Sequence, residues 1–472
     1  MTSKKQRVVV IGAGLAGLRL AARLGGDVCV LGEEPHVPYN RVLLAEVLAG
    51  RYAPEVTALP AAGPALRRGV RAVRIDRAEQ VVHCDDGTVE PYDTLVLATG
   101  SNPVLPPLRG LFAPEGRELP YGVHAFRTMD DCLALSEAVR PGVRAVVIGG
   151  GLLGVSAARA LAERGAQVVL TQQGERLMER QLDADASALL HAHLTSMGIE
   201  IHTECRVRGL ATAPADASPG AGRNPAPSGD LPGRGPGPSG ARVRAAEPAG
   251  PRRATGVELA DGYRLDADLV VLACGVRPRT GLALAAGLDV RTGVVVDDRL
   301  RTSDPRIHAI GDCAEHAGRV YGLAGPALEQ AEALAKVLLG TGRGLGVPAA
   351  TTPVQDTGHD TAGATPSPPP SSYTGTRALT RLTLTAADAG GRPLDLAAFG
   401  ETTPLPGDDV VRLTDATRRT YRKVVVRGDR LVGGVLLGEL SSVGALARGW
   451  EDDCSLDTAT DVYHLLTDDG GS

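Results

Sequence analysis

The chain has 472 residues and a formal net charge of −5 at pH 7, with 50 Lys and Arg interspersed among 55 Asp and Glu. This length accommodates about two to four domains, and the mixture of charges excludes an extended nucleic-acid-binding surface. The seven Cys are scattered singly without a C-x-x-C pair, which excludes a redox disulfide and indicates no metal or iron–sulfur site.

The N-terminal residues lead directly into a predicted strand, without the apolar segment and cleavage site of a signal peptide. No apolar run is long enough to span a bilayer. Single cysteines are typical of small buried residues in a reducing compartment. These features predict a cytoplasmic protein that does not contact membranes.

A first glycine motif follows the apolar run at residues 8–11. Gly12, Gly14 and Gly17 have the G-x-G-x-x-G spacing and lead into an Ala/Leu-rich helix. In such a motif the first glycine makes the tight turn, the second admits a pyrophosphate and the third lets the helix pack on the strand. The helix N-terminus then favours the bound anion. The pattern predicts a dinucleotide site, the alternative being a chance cluster in a chain with 60 Gly.

Two carboxylates stand at the predicted ribose end of this site. The next strand, at residues 28–31, is followed by Glu33 and Glu34. A carboxylate about 20 residues past the glycines accepts hydrogen bonds from a ribose diol. Glu33 is the better candidate because it follows the strand more directly. A later strand at residues 94–98 ends at Thr99 and Gly100, whose backbone must lie close to this dinucleotide.

A second glycine motif, Gly149, Gly151 and Gly154, follows the apolar run at residues 145–148. Its ribose end has no acid, because the next strand ends in Thr171, Gln172 and Gln173. A neutral amide can bond a 2′-hydroxyl without repelling a 2′-phosphate, and Arg176 is close enough in sequence to reach such a phosphate. The choice between NADH and NADPH therefore stays open.

The chain then returns to the first nucleotide domain. A strand ending at Cys274 and Gly275 corresponds to the one that ends at Thr99, and the segment IHAIGDC contains Gly311 and Asp312 before an apolar helix at residues 326–339. Two dinucleotide motifs on one chain are what hydride transfer between two cofactors requires. This combination predicts a flavin-dependent pyridine-nucleotide oxidoreductase.

Two low-complexity stretches interrupt the pattern. Residues 211–253 are rich in Pro, Gly, Ala and Ser and predict a disordered surface insertion, and residues 340–372 predict an interdomain linker. A third unit follows, with a β-hairpin that turns at Gly428 and Asp429 and a helix at residues 442–450. Because it has no titratable cluster, we expect it to cover the flavin edge or to form a partner or oligomer surface, which leaves a homodimer open.

Several segments carry a resemblance to a known family. They are PYNRVLLAEVLAG, LVLATGSNP, HAFRTMDD, IGGGLLG, ERLMERQLD, TSDPRIHAIGDCAE and YRKVVVRGDRLVGGVLLGEL. On these segments the chain resembles FAD-dependent pyridine nucleotide-disulfide oxidoreductases without a redox disulfide. Within them it is similar to the flavoprotein part of the NAD(P)H nitrite reductase large subunit, to the electron-transfer subunit of assimilatory nitrate reductase, and to ferredoxin and rubredoxin reductases. Residues 39–44 and 176–183 are the stretches most specific to the nitrite and nitrate reductase branch.

The resemblance implies an α/β fold with two Rossmann-like dinucleotide-binding domains, the FAD domain being interrupted by the NAD(P) domain, and a small C-terminal α+β domain. The implied ranges are 1–118 and 281–340 for FAD, 119–280 for NAD(P) with the insertion 211–253, 341–372 for the linker and 373–472 for the C-terminal domain.

The resemblance also implies two sets of cofactor-binding residues. The residues toward FAD are Gly12, Gly14, Ala16 and Gly17 at the pyrophosphate, Glu33 at the ribose, Arg41 at the phosphates, Val73 beside the adenine, Ala98, Thr99 and Gly100 beneath the cofactor, and Gly311 and Asp312 at the ribityl chain. The residues toward NADH or NADPH are Gly149, Gly151, Leu152, Leu153, Gly154, Gln172 and Gly275. No side chain is expected to be catalytic, since flavin N5 carries the chemistry, and no metal is expected.

Three departures from the family pattern stand out. Relatives commonly pair a Lys in the helix after the Tyr-x-Arg segment with a Glu after the second glycine motif, where this chain has Glu46 and Ser156. At the position where relatives usually have the ribose-binding acid of the second site, this chain has Gln172. The Cys-rich and sirohaem parts of fused nitrite reductases do not occur in this sequence, so the chain is not expected to reduce nitrite alone.

The implied function is transfer of electrons from NAD(P)H through FAD to a separate iron–sulfur or haem protein, with nitrite or nitrate assimilation as the implied setting. A ferredoxin or rubredoxin reductase is the first alternative. An NADH oxidase or peroxidase is disfavoured, because no Cys lies between Cys29 and Cys84 to act as the redox thiol. A nucleotide-binding flavoprotein sensor is the non-enzymatic alternative. His308 and Cys313 are expected to be packing residues rather than catalysts.

Overall fold

The computed structural model describes residues 7–26, 28–60, 65–113, 116, 118–215, 251–341, 372–384, 393–415, 417–451 and 466. Within these ranges, no helix combines the length and the apolar composition needed to cross a membrane.

The elements of the N-terminal part are β1 (Val8–Ile11), α1 (Leu15–Leu24), β2 (Val28–Gly32), α2 (Leu44–Leu48), β3 (Leu66–Arg68), β4 (Ala72–Asp76), β5 (Val81–Cys84), β6 (Val89–Pro91), β7 (Thr94–Leu97) and β8 (Ser101–Pro103), with 3-10 turns at Arg41–Leu43 and Pro54–Thr57. The middle part contains β9 (Val123–Ala125), α3 (Met129–Ala138), β10 (Arg144–Ile148), α4 (Leu152–Glu163), β11 (Gln167–Thr171), α5 (Ala184–Ser196), β12 (Glu200–His202), β13 (Val207–Pro214), β14 (Arg252–Leu259), β15 (Arg264–Asp266), β16 (Leu269–Leu272) and β17 (Val276–Pro278).

The remaining elements are α6 (Gly281–Ala285), β18 (Val294–Val296), β19 (Ile307–Ala309), a 3-10 turn (Gly311–Cys313), β20 (Ala314–His316), α7 (Ala324–Thr341), β21 (Leu379–Leu384), β22 (Leu394–Gly400), β23 (Asp409–Asp415), β24 (Thr420–Arg427), β25 (Arg430–Leu437) and α8 (Val443–Glu451).

Two five-stranded parallel sheets form the core of the molecule. The first has the order β19-β7-β1-β2-β3 and the second the order β9-β16-β10-β11-β12. Their central strands are buried apolar runs, as expected for parallel sheets covered by helices on both faces. Because β19 follows every strand of the second sheet in the chain, the first nucleotide-binding unit is interrupted by the second. The predicted fold class is confirmed, while the exact domain boundaries stay predictions.

The predicted disordered insertion at residues 211–253 is wrong at both ends. Ala211 and Thr212 lie in β13 and pair with Gly256 and Ala254 of β14 in an antiparallel ladder, and residues 252 and 253 also belong to β14. Small residues and Pro concealed the strand pattern, but backbone hydrogen bonds and the buried Ala254 hold these strands. Residues 216–250 lie outside the described residues.

The C-terminal domain is an antiparallel sheet of order β21-β22-β25-β24-β23 with α8 packed on it. The predicted hairpin is confirmed, since β24 and β25 are joined at Gly428, whose φ is 64°. The ring of Trp450 from α8 lies 5.2 Å from that of Phe399 in β22. Helix α7 continues to Thr341, and the rest of the predicted linker up to residue 371 lies outside the described residues.

Candidate functional site

A cleft of about 1280 Å³ separates the two parallel sheets. Its walls come from the loops that follow β1 and β7 of the first sheet and β10, β11 and β16 of the second. Residues of the C-terminal domain also line it, namely Arg381 and Leu382 in β21. In parallel α/β sheets such a position, beyond the carboxyl ends of the strands, is where ligands bind.

The first glycine motif has the geometry of a phosphate-binding turn. Gly12 has φ +119°, and a Cβ there would overlap the carbonyl of Ala98, while a Cβ on Gly17 would overlap the carbonyl of Gly12. A Cβ on Gly14 would meet nothing within 4 Å, and Gly14, Ala16 and Ala98 line the cleft. The close contacts fix the turn, and the open space above Gly14 at the N-terminus of α1 fits a pyrophosphate.

The second glycine motif repeats this arrangement. Gly149 has φ +113° and packs on the carbonyl of Ala273, Gly154 packs on the carbonyl of Gly149, and a Cβ on Gly151 would meet nothing within 4 Å. Leu152 and Leu153, the first residues of α4, line the cleft with Gly151. Both phosphate-binding turns therefore open on one cavity, and the residues present fit two dinucleotides.

Asp312 projects into the cleft and is already held by two side chains, one after β7 of the first sheet and one after β9 of the second. It accepts hydrogen bonds from the hydroxyl of Ser101 at 2.9 Å and from Nη2 of Arg127 at 2.6 Å. The Nε atom of Arg127 is buried without a hydrogen-bond partner among the described residues. Sequence reasoning missed Arg127, although it lies within the family segment HAFRTMDD. The backbone N–H of Gly311 donates to Oε1 of the buried Gln330 at 2.7 Å.

The two glutamates after β2 have different partners. Glu34 forms an ion pair with Arg41, which lines the cleft and also donates to the carbonyl of Arg127 at 3.0 Å. Glu33 pairs with Arg279 at 2.5 Å and is not among the residues that line the cleft. A ribose-binding role for Glu33 stays a prediction.

Of the other residues predicted to bind FAD, some line the cleft and others do not. Gly100 and Gly311 line the cleft, whereas Thr99 lies beside it and donates from its hydroxyl to the carbonyl of Arg279 at 2.9 Å. Val73, predicted beside the adenine, is 48% exposed in β4 and does not line the cleft.

The ribose end of the second site is built from the loop after β11. Oε1 of Gln172 accepts a hydrogen bond from the N–H of Gly150 at 2.8 Å. Gln172 and Gly275 both line the cleft, but Arg176, the predicted phosphate ligand, does not. Three charged residues here that sequence reasoning did not select, Glu179, Arg180 and Arg206, do line it.

An ion pair joins α2 and α4 where the resemblance led us to expect Glu46 and Ser156 in place of a Lys–Glu pair. Glu46 of α2 pairs with Arg159 of α4 at 2.5 Å, and Arg159, only 1% exposed, also pairs with Glu163 at 3.2 Å. Ser156 lines the cleft and donates its hydroxyl to the carbonyl of Leu152 at 2.8 Å. The pair thus has the opposite polarity and lies one turn farther along α4 than Ser156.

A buried ion pair joins the C-terminal domain to the second unit. Asp183, the N-cap of α5, accepts from Nζ of Lys423 and from the hydroxyl of Tyr421, each at 2.7 Å. Burial alone would raise the pKa of Asp183, but the hydrogen bonds from Lys423, the N–H of Ala186 and Tyr421 hold it below its usual value. We call Asp183, Tyr421 and Lys423 the interdomain clasp. It links the two segments RLMERQLD and YRKVVV.

Burial moves the pKa values of three thiols and of His308 away from neutrality. Burial raises the pKa of Cys274 and Cys132 to about 11 and also raises that of Cys313, so these residues stay thiols at neutral pH. Burial lowers the pKa of His308 to about 4. Within the described ranges, no group of three or more His, Cys, Asp or Glu could hold a metal ion.

Two family models match the chain. The model described as pyridine nucleotide-disulphide oxidoreductase matches residues 6–219 and 239–331, and the model described as rubredoxin NAD+ reductase C-terminal domain matches residues 393–448. Together they cover both nucleotide-binding units and most of the C-terminal sheet.

Individual relatives agree with these matches. The chain is 34% identical to an assimilatory nitrate reductase electron transfer subunit of Bacillus subtilis, over 71% of this chain and 39% of the relative. It is 30% identical to a nitrite reductase [NAD(P)H] of the same organism, over 93% of this chain and 46% of the relative. It is 32% identical to a probable ferredoxin reductase of Castellaniella defragrans, over 72% of this chain and 76% of the relative. The chain therefore spans less than half the length of the first two relatives.

The fold resembles those of solved reductases. The covalent putidaredoxin reductase–putidaredoxin complex matches with a TM-score of 0.73 and 22% identity, over 100% of both chains. A ferredoxin reductase from Rhodopseudomonas palustris matches with a TM-score of 0.71 and 24% identity, over 96% of both chains.

Proposed function

The chain belongs to the pyridine nucleotide-disulphide oxidoreductase family, and from this membership we propose that it carries electrons from NADH or NADPH through FAD to a separate iron–sulfur protein. Membership confirms the resemblance predicted from the sequence. The protein is an FAD-dependent NAD(P)H oxidoreductase; the acceptor, the nucleotide preference and the residues that contact each cofactor are parts of the proposal.

One observation carries the proposal. The two phosphate-binding turns, at Gly14 and Gly151, open on the same cleft from opposite sheets. Two dinucleotides held there by their pyrophosphates would extend toward each other rather than into separate pockets. Proximity of this kind is what a direct transfer between cofactors needs.

The residues of the chain bind and orient the cofactors. When bound, FAD accepts a hydride from the nicotinamide and releases electrons singly. We propose that Asp312 accepts a hydrogen bond from the ribityl chain while Arg127 fixes its carboxylate. The N-terminus of α7, which begins at Ala324 on the cleft wall, would stabilise negative charge at the flavin edge.

Similarity to reductases of small redox proteins supports an iron–sulfur acceptor. The probable ferredoxin reductase is matched over 76% of its own length, and the C-terminal sheet matches the rubredoxin NAD+ reductase domain. The longer relatives support nitrite or nitrate assimilation as the setting. A haem acceptor and a homodimer stay open predictions.

Anaerobic mixing of the purified FAD-loaded protein with NADH or NADPH tests the proposal. We expect the visible flavin absorbance to bleach, and the reduced protein to reduce ferredoxin much faster than O₂. Absence of bleaching with both nucleotides would contradict the enzyme function, and faster reaction with O₂ would favour an oxidase. The control variant Gly281→Ala should bleach as the wild type does, because a Cβ there meets nothing within 4 Å and Gly281 does not line the cleft.

We also propose a cytoplasmic location. Cys29, Cys84, Cys132, Cys205, Cys274 and Cys313 are free thiols in the structure, and unpaired cysteines favour a reducing compartment. Fractionation of cells that express the protein would test this, and recovery from an oxidising compartment would contradict it.

A further inference from the structure

The second nucleotide site lacks a carboxylate at the position where Rossmann folds usually have one. That position, directly after β11, is Gln172. Its side-chain carbonyl already accepts a hydrogen bond from the N–H of Gly150 at 2.8 Å. Gln172 is therefore engaged with the glycine motif, and its neutral amide has no charge that could distinguish a ribose diol from a 2′-phosphate.

The segment after Gln172 folds back onto the second glycine motif. The N–H of Met178 donates to the carbonyl of Gly150 at 2.9 Å, and a Cβ on Gly150 would meet the side chain of Leu177 at 2.6 Å. Met178 is 2% exposed and has φ +50°, a left-handed conformation that reverses the chain direction. This reversal turns the next residue, Glu179, back toward the end of β11.

The carboxylate of Glu179 lies against Gly174, three residues past the end of β11. Its Oε1 is 2.6 Å from the point where a Cβ on Gly174 would stand, and Oε2 is closer still. Glycine at 174 leaves room for this carboxylate. Gln172, Gly174 and Glu179 all line the cleft. Among the residues that the structure describes, Glu179 has no hydrogen-bond or ion-pair partner.

We propose that Glu179 is the ribose-binding carboxylate of the second site and that it makes the site prefer NADH to NADPH. This inference rests on the proposed function. A carboxylate can accept hydrogen bonds from both hydroxyls of an adenosine ribose, and it repels a 2′-phosphate. The carboxylate reaches the usual place from a position seven residues later in the sequence than Gln172.

Two cations on the same wall favour the opposite preference. Arg180 and Arg206 are exposed and line the cleft, and the N–H of Cys205 donates to the carbonyl of Gln172 at 2.9 Å, which brings Arg206 near the loop. We assign the selectivity to Glu179 because its carboxylate packs on Gly174 and follows a backbone anchored to Gly150. A 2′-phosphate preference would assign it to the arginines instead.

The experiment measures binding of two redox-inactive fragments to the FAD-loaded protein by calorimetry. The probes are ADP-ribose and its 2′-phosphorylated form. We expect the wild type to bind ADP-ribose about tenfold or more tightly than the phosphorylated probe, and Glu179→Gln to weaken ADP-ribose binding about tenfold and to reduce the discrimination. Glu179→Asp, which keeps the charge, should retain part of the preference.

Glu175→Gln is the matched control, because Glu175 is exposed on the same segment but does not line the cleft. It should leave both affinities unchanged, and FAD content should be equal in all variants. Three outcomes would overturn the role of Glu179 without affecting the proposed function. They are equal binding of both probes by the wild type, preference of the wild type for the phosphorylated probe, and an unchanged ratio of affinities in Glu179→Gln. If neither probe binds the FAD-loaded wild type, the second site is not a nucleotide site and the proposed function fails with the inference.

Discussion

The two nucleotide-binding units are closely alike at their phosphate ends and different at their ribose ends. Gly12 and Gly149 have φ +119° and +113°, and each packs on the carbonyl of the residue that directly follows a neighbouring strand. After β2, however, Glu33 and Glu34 are both paired with arginines, whereas after β11 the carboxylate that lines the cleft, Glu179, has no partner among the residues that the structure describes. Phosphate binding depends on backbone geometry that a short motif specifies, while ribose recognition depends on side chains that the fold brings together.

The largest effect should come from filling the two glycine turns. In Gly12→Ala and Gly149→Ala, the new Cβ would overlap a backbone carbonyl, so the turn cannot keep its shape. We expect Gly12→Ala to be isolated without FAD, and Gly149→Ala to retain FAD but to show no bleaching with either nucleotide. FAD content and anaerobic reduction measure these outcomes. Loss of FAD from both variants would show that the two units do not bind separate cofactors.

A smaller loss should follow from breaking the interdomain clasp. Lys423→Met leaves the Asp183 carboxylate, 14% exposed, without its cation. Removing one partner of a buried pair typically costs about 3 kcal/mol. We expect a reduction of this size in the free energy of unfolding, measured in urea. A change below about 0.5 kcal/mol would show that the clasp behaves as a surface ion pair.

The stabilisation that the interdomain clasp provides should depend on pH. Because the folded-state pKa of Asp183 is held below its usual value, its contribution is present above the unfolded pKa of about 4 and disappears as pH falls through the folded value. The difference between wild type and Lys423→Met should therefore shrink in acid.

Two histidines, His308 and His124, occupy equivalent positions in the two parallel sheets. His308 in β19 pairs with Val96, and His124 in β9 pairs with Val271, so both lie in the edge strand next to a central apolar strand. Burial lowers the pKa of His308 to about 4 and also lowers that of His124. The neutral forms are favoured in the folded protein, so stability is full above pH about 6.5 and declines as pH falls toward 4.

In the wild type, protonation of His308 in the unfolded state should lower the free energy of unfolding by about 1.4 kcal/mol for each pH unit below about 6.5. His308→Leu should abolish this loss, and His124→Leu should abolish a smaller one. Urea denaturation at pH 7, 5.5 and about 4.5 would measure both. Equal pH profiles in wild type and His308→Leu would contradict the burial of a neutral imidazole at position 308.

Much of the scaffold was predictable because its signals are local. The apolar runs before Gly12 and Gly149 define β1 and β10, and Gly428 marks the hairpin of the C-terminal sheet. The strand residues 211–214 were missed because Ala and Pro carry little strand signal until β14 pairs with them.

The parts of the site that sequence reasoning missed depend on contacts between distant residues. Lys423 is 240 positions from Asp183, and Arg127 is 185 positions from Asp312. The return of Glu179 to Gly174 requires the left-handed Met178, which the sequence does not indicate.

The interruption of the first sheet also determines an order of events during synthesis. Strand β19 and Asp312 leave the ribosome after every strand of the second sheet, so the nicotinamide half can complete its core before the flavin half can. The first unit therefore finishes after the second, and FAD capture becomes a step that waits for the synthesis of Asp312. A chain that ends at residue 300 and is released from the ribosome should protect β10 and β11 from proteolysis yet retain no FAD; retention of FAD at that length would contradict this order.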